Sequence, residues 1–311
     1  MSEKIATRVA YGMALAEIGE NENIVVLDAD LSKSTRTDFF KKKYPERHIN
    51  MGIAESNMMS VAAGLATCGK TVFASTFAIF ASGRAYDQVR NSIGYTHLNV
   101  KIGATHAGIT VGEDGASHQA LEDIALMRVI PGMTVISPAD AVSTTALVKQ
   151  AAEMYGPVYL RLGRLDVPVL YPADTKFEIG KGVTIKEGKD ITLIATGMMV
   201  EQALKAAEAL QTEGVSARVI DIHTIKPLDA DVIIKAAKET GAIVTCEEHN
   251  IIGGLGSAVA EVVVKNSPVP MELVGVEDIF GKSGKPADLL VKYGLTSEKI
   301  LEKAKAVLKR K

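Results

Sequence analysis

Apolar and polar positions follow two rhythms along this chain. Short β-branched or aromatic runs at 24–28, 71–75, 100–104, 134–137 and 158–160 read as buried strands. Between them, the stretches 4–20, 55–68, 84–93, 119–128 and 140–153 repeat apolar residues at helical spacing. The rhythm stops at 169–182, where Pro172, Asp174, Gly180 and Gly182 have the chemistry of a loop or linker. It restarts with strands at 191–195, 217–221, 242–246 and 271–274 and helices at 198–212, 230–240 and 256–265. The tail, 297–311, reads as a basic helix with a solvated face. Strands alternating with helices predict parallel sheets joined by crossover helices. The expected fold is α/β with two domains, about 1–172 and 180–311, each a mostly parallel sheet flanked by helices.

Open α/β sheets bind ligands outside the carboxyl ends of their strands. The places to search are therefore 30–34, 76–80, 106–118 and 161–164 in the first domain, and 196–198, 223–226 and 247–256 in the second. Composition narrows the field. With 35 basic and 37 acidic residues the formal charge is −2, which gives no electrostatic reason for a nucleic acid or an anionic membrane as partner. The most hydrophobic stretch, 61–80, is broken by Lys70 and several glycines and threonines, so no membrane span is expected. The two cysteines, Cys68 and Cys246, have no metal-ligand spacing and are expected to be reduced and mostly buried, as in a cytoplasmic protein.

One motif is misleading. Gly64 to Thr71 matches G-x-x-x-x-G-K-[ST], the phosphate-binding loop of nucleotide-binding proteins. That loop needs a strand before it and a helix after it, so that helix amides meet the phosphate. Here 55–68 reads as the helix and 71–75 as the strand, with Gly69 as a helix stop. Nucleotide binding stays the alternative from another class.

Asn50 to Asp140 carries most of the chemistry. Glu55 opens a helix amid Met51, Ile53, Met58 and Met59; that fragment by itself reads as a first-turn acid favouring the helix dipole, and only the segments that follow point beyond it. Phe77 and Phe80 follow a strand, as stacking rings or as core. The run from Thr105 to Gln119 places His106, Glu113, Asp114 and His118 among glycines in one loop. It lacks the H-E-x-x-H spacing of a zinc site, and the chain lacks a G-x-S-x-G nucleophile elbow.

Taken in order, Gly52-Ile-Ala-Glu55-x-Asn57, Thr76-Phe77-x-x-Phe80, His106, Gly112-Glu-Asp-Gly115-x-x-His118-Gln119, Leu121-Glu-Asp-Ile-Ala125 and Pro138-Ala-Asp140 resemble the pyrimidine-binding domain of transketolase, a thiamine diphosphate-binding fold. Asp190 to Gly197 and Glu247-Glu-His249-Asn-x-x-Gly253-Gly resemble its C-terminal domain. The Gly-Asp-Gly that holds diphosphate and magnesium in such enzymes is missing, and the chain opens almost directly into the pyrimidine domain. The resemblance is thus to the C-terminal subunit of a split transketolase in a two-plus-two heterotetramer, with Mg2+ ligands on a separate N-terminal subunit.

The resemblance implies further roles. Glu55 matches the acid that bonds N1′ of the aminopyrimidine, and Phe77 and Phe80 the rings that stack on it; a third family aromatic is replaced by Gly83, which implies a looser pocket. Asp30 matches an aspartate near the cofactor. Arg8, Ser34, His118 and Arg164 match positions that hold the phosphate of a sugar phosphate, with Arg161 the less favoured alternative to Arg164. His106, also in a catalytic role, and Asp114 match residues that contact the donor's hydroxyl groups. The expected reaction moves a two-carbon ketol unit from a ketose phosphate to an aldose phosphate, as in the pentose phosphate pathway. The beta subunit of a 2-oxo acid dehydrogenase is the alternative with the same layout. The Gly253-Gly-Leu-Gly256 loop is expected to serve assembly.

Overall fold

Continuous apolar runs become fully covered central strands. The computed structural model describes residues 3–311. Its larger sheet has seven strands in the order Thr224–Lys226, Thr134–Ile136, Val158–Arg161, Val100–Thr105, Thr71–Phe77, Ile24–Asp28, His48–Asn50. All neighbours are parallel except the first pair. The smaller sheet has five strands in the order Met271–Val276, Ile243–Asn250, Ile191–Ala195, Ala217–Asp221, Val183–Lys186, parallel except the last pair. Every residue of Ile24–Asp28, Thr71–Phe77, Val100–Thr105 and Ile191–Ala195 is buried, as strands covered by helices on both faces must be.

Capping defines several helices. Asp140 accepts from Ser143 N–H (2.8 Å), and Ser143 Oγ accepts from Asp140 N–H (3.1 Å), a reciprocal cap on the Ala141–Glu153 helix. The second Asp140 oxygen takes the N–H groups of Leu170 and Tyr171, so one acid fixes both the helix start and the descending chain.

The two halves are interlocked. Thr224–Lys226, from beyond the linker, pairs antiparallel with Thr134–Ile136 and completes the larger sheet. Lys226 Nζ donates to the carbonyls of Arg128 (2.7 Å) and Ile130 (2.5 Å), and Arg128 Nη1 donates to Gly253 O (2.7 Å).

The structure departs from the sequence expectations at several elements. The 4–20 stretch begins as a strand, Lys4–Ala6, paired with Asp166–Pro168, and its helix is Thr7–Ile18. The 84–93 stretch splits into Tyr86–Gln88 and a wider π turn, Val89–Gly94. The helix expected at 119–128 is only Asp123–Arg128, because Gln119 is used by the loop before it. The tail helix, Ser297–Leu308, is not merely solvated: Ile300, Ala304 and Val307 are buried in the core. Cys246 is buried, but Cys68 is exposed just past the Glu55–Thr67 helix; both are free. Among the described residues, no helix is long and apolar enough to cross a membrane.

Candidate functional site

Parallel strands end on the same side, so the loops after Ile24–Asp28, Thr71–Phe77, Val100–Thr105 and Val158–Arg161 share one edge of the larger sheet. The first loop is shaped by Asp28. Its buried carboxylate accepts from Leu31 N–H (2.5 Å), Thr35 Oγ1 (2.6 Å) and Thr37 Oγ1 (2.9 Å). Burial nevertheless pushes its pKa up. This tight turn presents Ser34 and, in left-handed conformation at φ 66°, Arg36. Asp30, also left-handed, is exposed and exchanges hydrogen bonds with Asn50 (3.1 and 2.7 Å).

Arg8 enters this edge from the first turn of its helix. Its Nη1 donates to Ser34 O (2.8 Å) and lies 3.5 Å from His106 Nε2. With Arg36 and Arg164 it lines a depression that also touches Glu113, Asp166 and Pro286. The Nε donors of Arg8 and Arg36 are buried without a protein partner. Burial first, then the charges of Arg36 and Arg164, lower the Arg8 pKa. Like charges crowded beside unused donors make a ready anion seat. Arg164 donates to Val111 O and faces Glu113 at 3.7 Å.

His106 links this seat to the aromatic rings. It is 3% exposed with φ 56°, and its ring stacks on Phe77 at 3.8 Å. Burial, followed by Arg8, Arg164, His118 and Arg36, pushes its pKa down to about 3, so the imidazole is neutral near pH 7. Phe77 and Phe80 are nearly parallel (10°, 5.8 Å between centroids), and His118 stands edge-on to Phe80 at 5.4 Å. Arg84 lies 4.4 Å over the Phe80 ring and pairs with Glu55 Oε2 at 3.2 Å, placing the carboxylate and the rings on either side of one guanidinium. Glu55 is 2% exposed and backed by the fully buried Met58 and Met59, whereas Ile53 points outward at 77% exposure.

Arg8, Ser34, His106, His118, Phe77 and Phe80 are thus gathered, Arg164 borders the same depression, and Glu55 joins through Arg84. Asp114 is exposed, and no contact ties it to His106 or His118. Arg161 is no rival to Arg164: it is buried against Asp123 (2.9 Å) and donates to Glu248 O (2.8 Å). Arg36 and Arg84 were missed by sequence reasoning. The only signal for either was a basic residue near the carboxyl end of a strand. At Gly83 a Cβ would stand 2.6 Å from Ile79 O, so this backbone path cannot carry an aromatic there. Gly64 to Thr71 forms no phosphate loop, because helix Glu55–Thr67 precedes it and strand Thr71–Phe77 follows. In the Gly253 to Gly256 loop, Glu247 accepts from Leu255 N–H (2.7 Å) and Gly256 N–H (2.8 Å).

The pyrimidine end of a thiamine cofactor fits this donor set, since a shielded carboxylate, Glu55, and a half-buried ring, Phe80, share one guanidinium neighbour, Arg84, with Thr76 Oγ1 buried and unpartnered nearby in sequence. Among the described residues no three His, Cys, Asp or Glu side chains are grouped so as to hold a metal ion.

Comparison with known proteins was consistent along the chain. Residues 3–169 match the family description "Transketolase, pyrimidine binding domain" and residues 180–300 match "Transketolase, C-terminal domain". The chain is 52% identical over 307 residues to the "Putative transketolase C-terminal section" of Methanocaldococcus jannaschii, covering 97% of this chain and 96% of that protein. It is 44% identical over 292 residues to the "6-deoxy-6-sulfo-D-fructose transketolase subunit SqwH" of a Clostridium species, covering 94% and 91%. Among solved structures, "Split gene transketolase, inactive beta4 tetramer" superposes with a TM-score of 0.92 at 56% identity over 99% of both chains.

Proposed function

The chain belongs to the transketolase family, and from that premise we propose that it is the C-terminal section of a split transketolase, active with a separate N-terminal section. The observation that carries the reading is the meeting, at one sheet edge, of the buried Glu55 carboxylate, the Phe77–Phe80 rings and the Arg8–Arg36–Arg164 seat, with His106 between rings and arginines. The division into 1–172 and 180–311 is part of the proposal. The partner would supply the diphosphate and magnesium ligands, and two copies of each chain would assemble.

Thiamine diphosphate, when bound, supplies the carbanion chemistry that cleaves a ketose and carries its two-carbon piece to an aldose. The rest is done by residues of this chain. Glu55 hydrogen-bonds the aminopyrimidine and holds a proton there, which requires Arg84, half exposed, to release the carboxylate. Phe77 and Phe80 stack on the ring. Arg8, Arg36 and Arg164 hold the terminal anion of the sugar by charge-assisted hydrogen bonds, with Ser34 and His118 beside them. His106, kept neutral, faces the sugar hydroxyls as donor or acceptor without adding charge; Asp114 and Asp30, both exposed, are the side chains offered to the donor and the cofactor. The substrate class is a sugar phosphate. A sulfonated sugar is the second reading, favoured by the name of the Clostridium relative and by a seat that pairs with either anion.

The test mixes this chain with a neighbouring chain bearing Gly-Asp-Gly, thiamine diphosphate and Mg2+, and follows glycolaldehyde transfer from xylulose 5-phosphate to ribose 5-phosphate. Transfer by the mixture and by neither chain alone is expected. Full turnover by this chain alone would refute the reading.

A further inference from the structure

The second half of the chain reaches back across the linker to the loop that carries His106 and His118. Two buried groups make the contact. Glu248, from strand Ile243–Asn250, accepts from Thr110 N–H at 2.7 Å, and its carboxylate fills the space that a Cβ on Gly108 would need. Gln119, 3% exposed, donates through Nε2 to Lys282 O (3.0 Å) in the second half and to Ile109 O (3.1 Å) and Gly112 O (3.4 Å) in the loop. Three carbonyls around one amide nitrogen fix its orientation. The Oε1 atom is left buried without a donor, facing Gly281, where any Cβ would collide with it.

An isolated loop would not need so exact a fit to a distant segment. Gly112 and Gly115, both at positive φ, leave room for Pro286 (3.2 Å from an added Cβ) and for the Ser283 hydroxyl. The chain spends a buried amide and four glycines on docking these segments together. We propose that Gln119 and Glu248 are positioning residues through which the second domain sets the shape of the 106–118 loop, and so the fit of the sugar donor; the step to the donor rests on the proposed ketol-transfer function. Neither residue touches the reacting atoms. Gln119 acts by joining Ile109 O to Lys282 O, and Glu248 by holding the Thr110 amide.

The experiment has two independent readouts. The first is hydrogen exchange in the unassembled chain. Gln119→Met keeps the volume but removes the N–H donors, and exchange over 108–118 should accelerate by about tenfold while the Ile191–Ala195 strand is unchanged. Gly281→Ala, which adds only a methyl group against Gln119 Oε1, should speed the same amides by a smaller factor, and the double variant should exceed Gln119→Met little, because both act on one contact. Unchanged exchange over 108–118 in both folded variants, or acceleration spread evenly over the whole chain, overturns the proposal. The second readout is kinetic, in the assembled two-chain enzyme. Donor KM should rise by about fivefold to tenfold with kcat and the affinity for thiamine diphosphate within about twofold. Equal losses in kcat, KM and cofactor affinity mean a merely structural role and also overturn it. A wild-type mixture without ketol transfer would remove the functional reading, while the exchange data still decide whether the second domain holds the loop.

Discussion

The two sheets end alike and are used differently. At the carboxyl edge of the larger sheet, charged groups face a depression and keep unused donors, as at Arg8 and Arg36. At the corresponding edge of the smaller sheet, Glu247, Glu248 and His249 are equally polar yet wholly buried, and their hydrogen-bond partners are main-chain groups: Leu255 and Gly256 for Glu247, Thr110 for Glu248, Ala125 and Asn250 for His249, whose Nδ1 also lies 3.7 Å from Glu247 Oε2. A polar run at the carboxyl end of a parallel strand, such as Glu247–His249 within Ile243–Asn250, is therefore insufficient evidence of a site. What separates Glu247–His249 from the arginines is which way they face: the former turn into the chain and the latter line a depression.

The comparison can be broken most decisively at Glu55. Glu55→Gln in the assembled enzyme should lower kcat/KM by about a thousandfold with little change in urea stability. Near-normal rates would remove Glu55 from its role. The opposite profile is expected at the interior of the chain. Asp123→Ala strands the buried Arg161 guanidinium and should lower stability by about 3–5 kcal/mol, read from urea unfolding. Arg164→Ala should raise KM for phosphorylated sugars by about tenfold and leave unphosphorylated sugars nearly unaffected; equal changes would contradict the anion seat.

The smallest effect is a pH signature shared by both regions. His106 and His223 are lowered from 6.5, to about 3 and about 4, chiefly by burial. Between those values and 6.5 the unfolded chain binds more protons than the folded one, so stability is full above pH 6.5 and falls as pH falls through the window. Ring proton shifts of both histidines should stay flat from pH 8 to about 5. A midpoint near 6.5 for either would contradict its burial.

Much of this was legible in the sequence, for physical reasons. Strands such as 24–28 and 191–195 are continuous apolar runs, and the structure assigns Ile24–Asp28 and Ile191–Ala195 at the same bounds. Short edge strands such as His48–Asn50 and Thr224–Lys226 carry too few residues to show a period, and their pairing is decided by tertiary neighbours. Lys101 shows the limit of pattern: it sits fully buried in a central strand because Nζ reaches the carbonyls of Met154 and Gly156, both at 2.7 Å. In the site, ordered motifs pointed to Glu55, Phe77, Phe80 and His106. Arg36 and Arg84 depend on a left-handed turn and on a contact across the fold, which no local pattern displays.

The most direct test of the central claim is a structure of this chain assembled with the proposed N-terminal partner and thiamine diphosphate. The account predicts Glu55 within hydrogen-bond distance of the aminopyrimidine, shielded from water, with the diphosphate and magnesium liganded by the partner. A diphosphate and metal fully liganded by this chain, or a Glu55 carboxylate standing in bulk solvent, would contradict it.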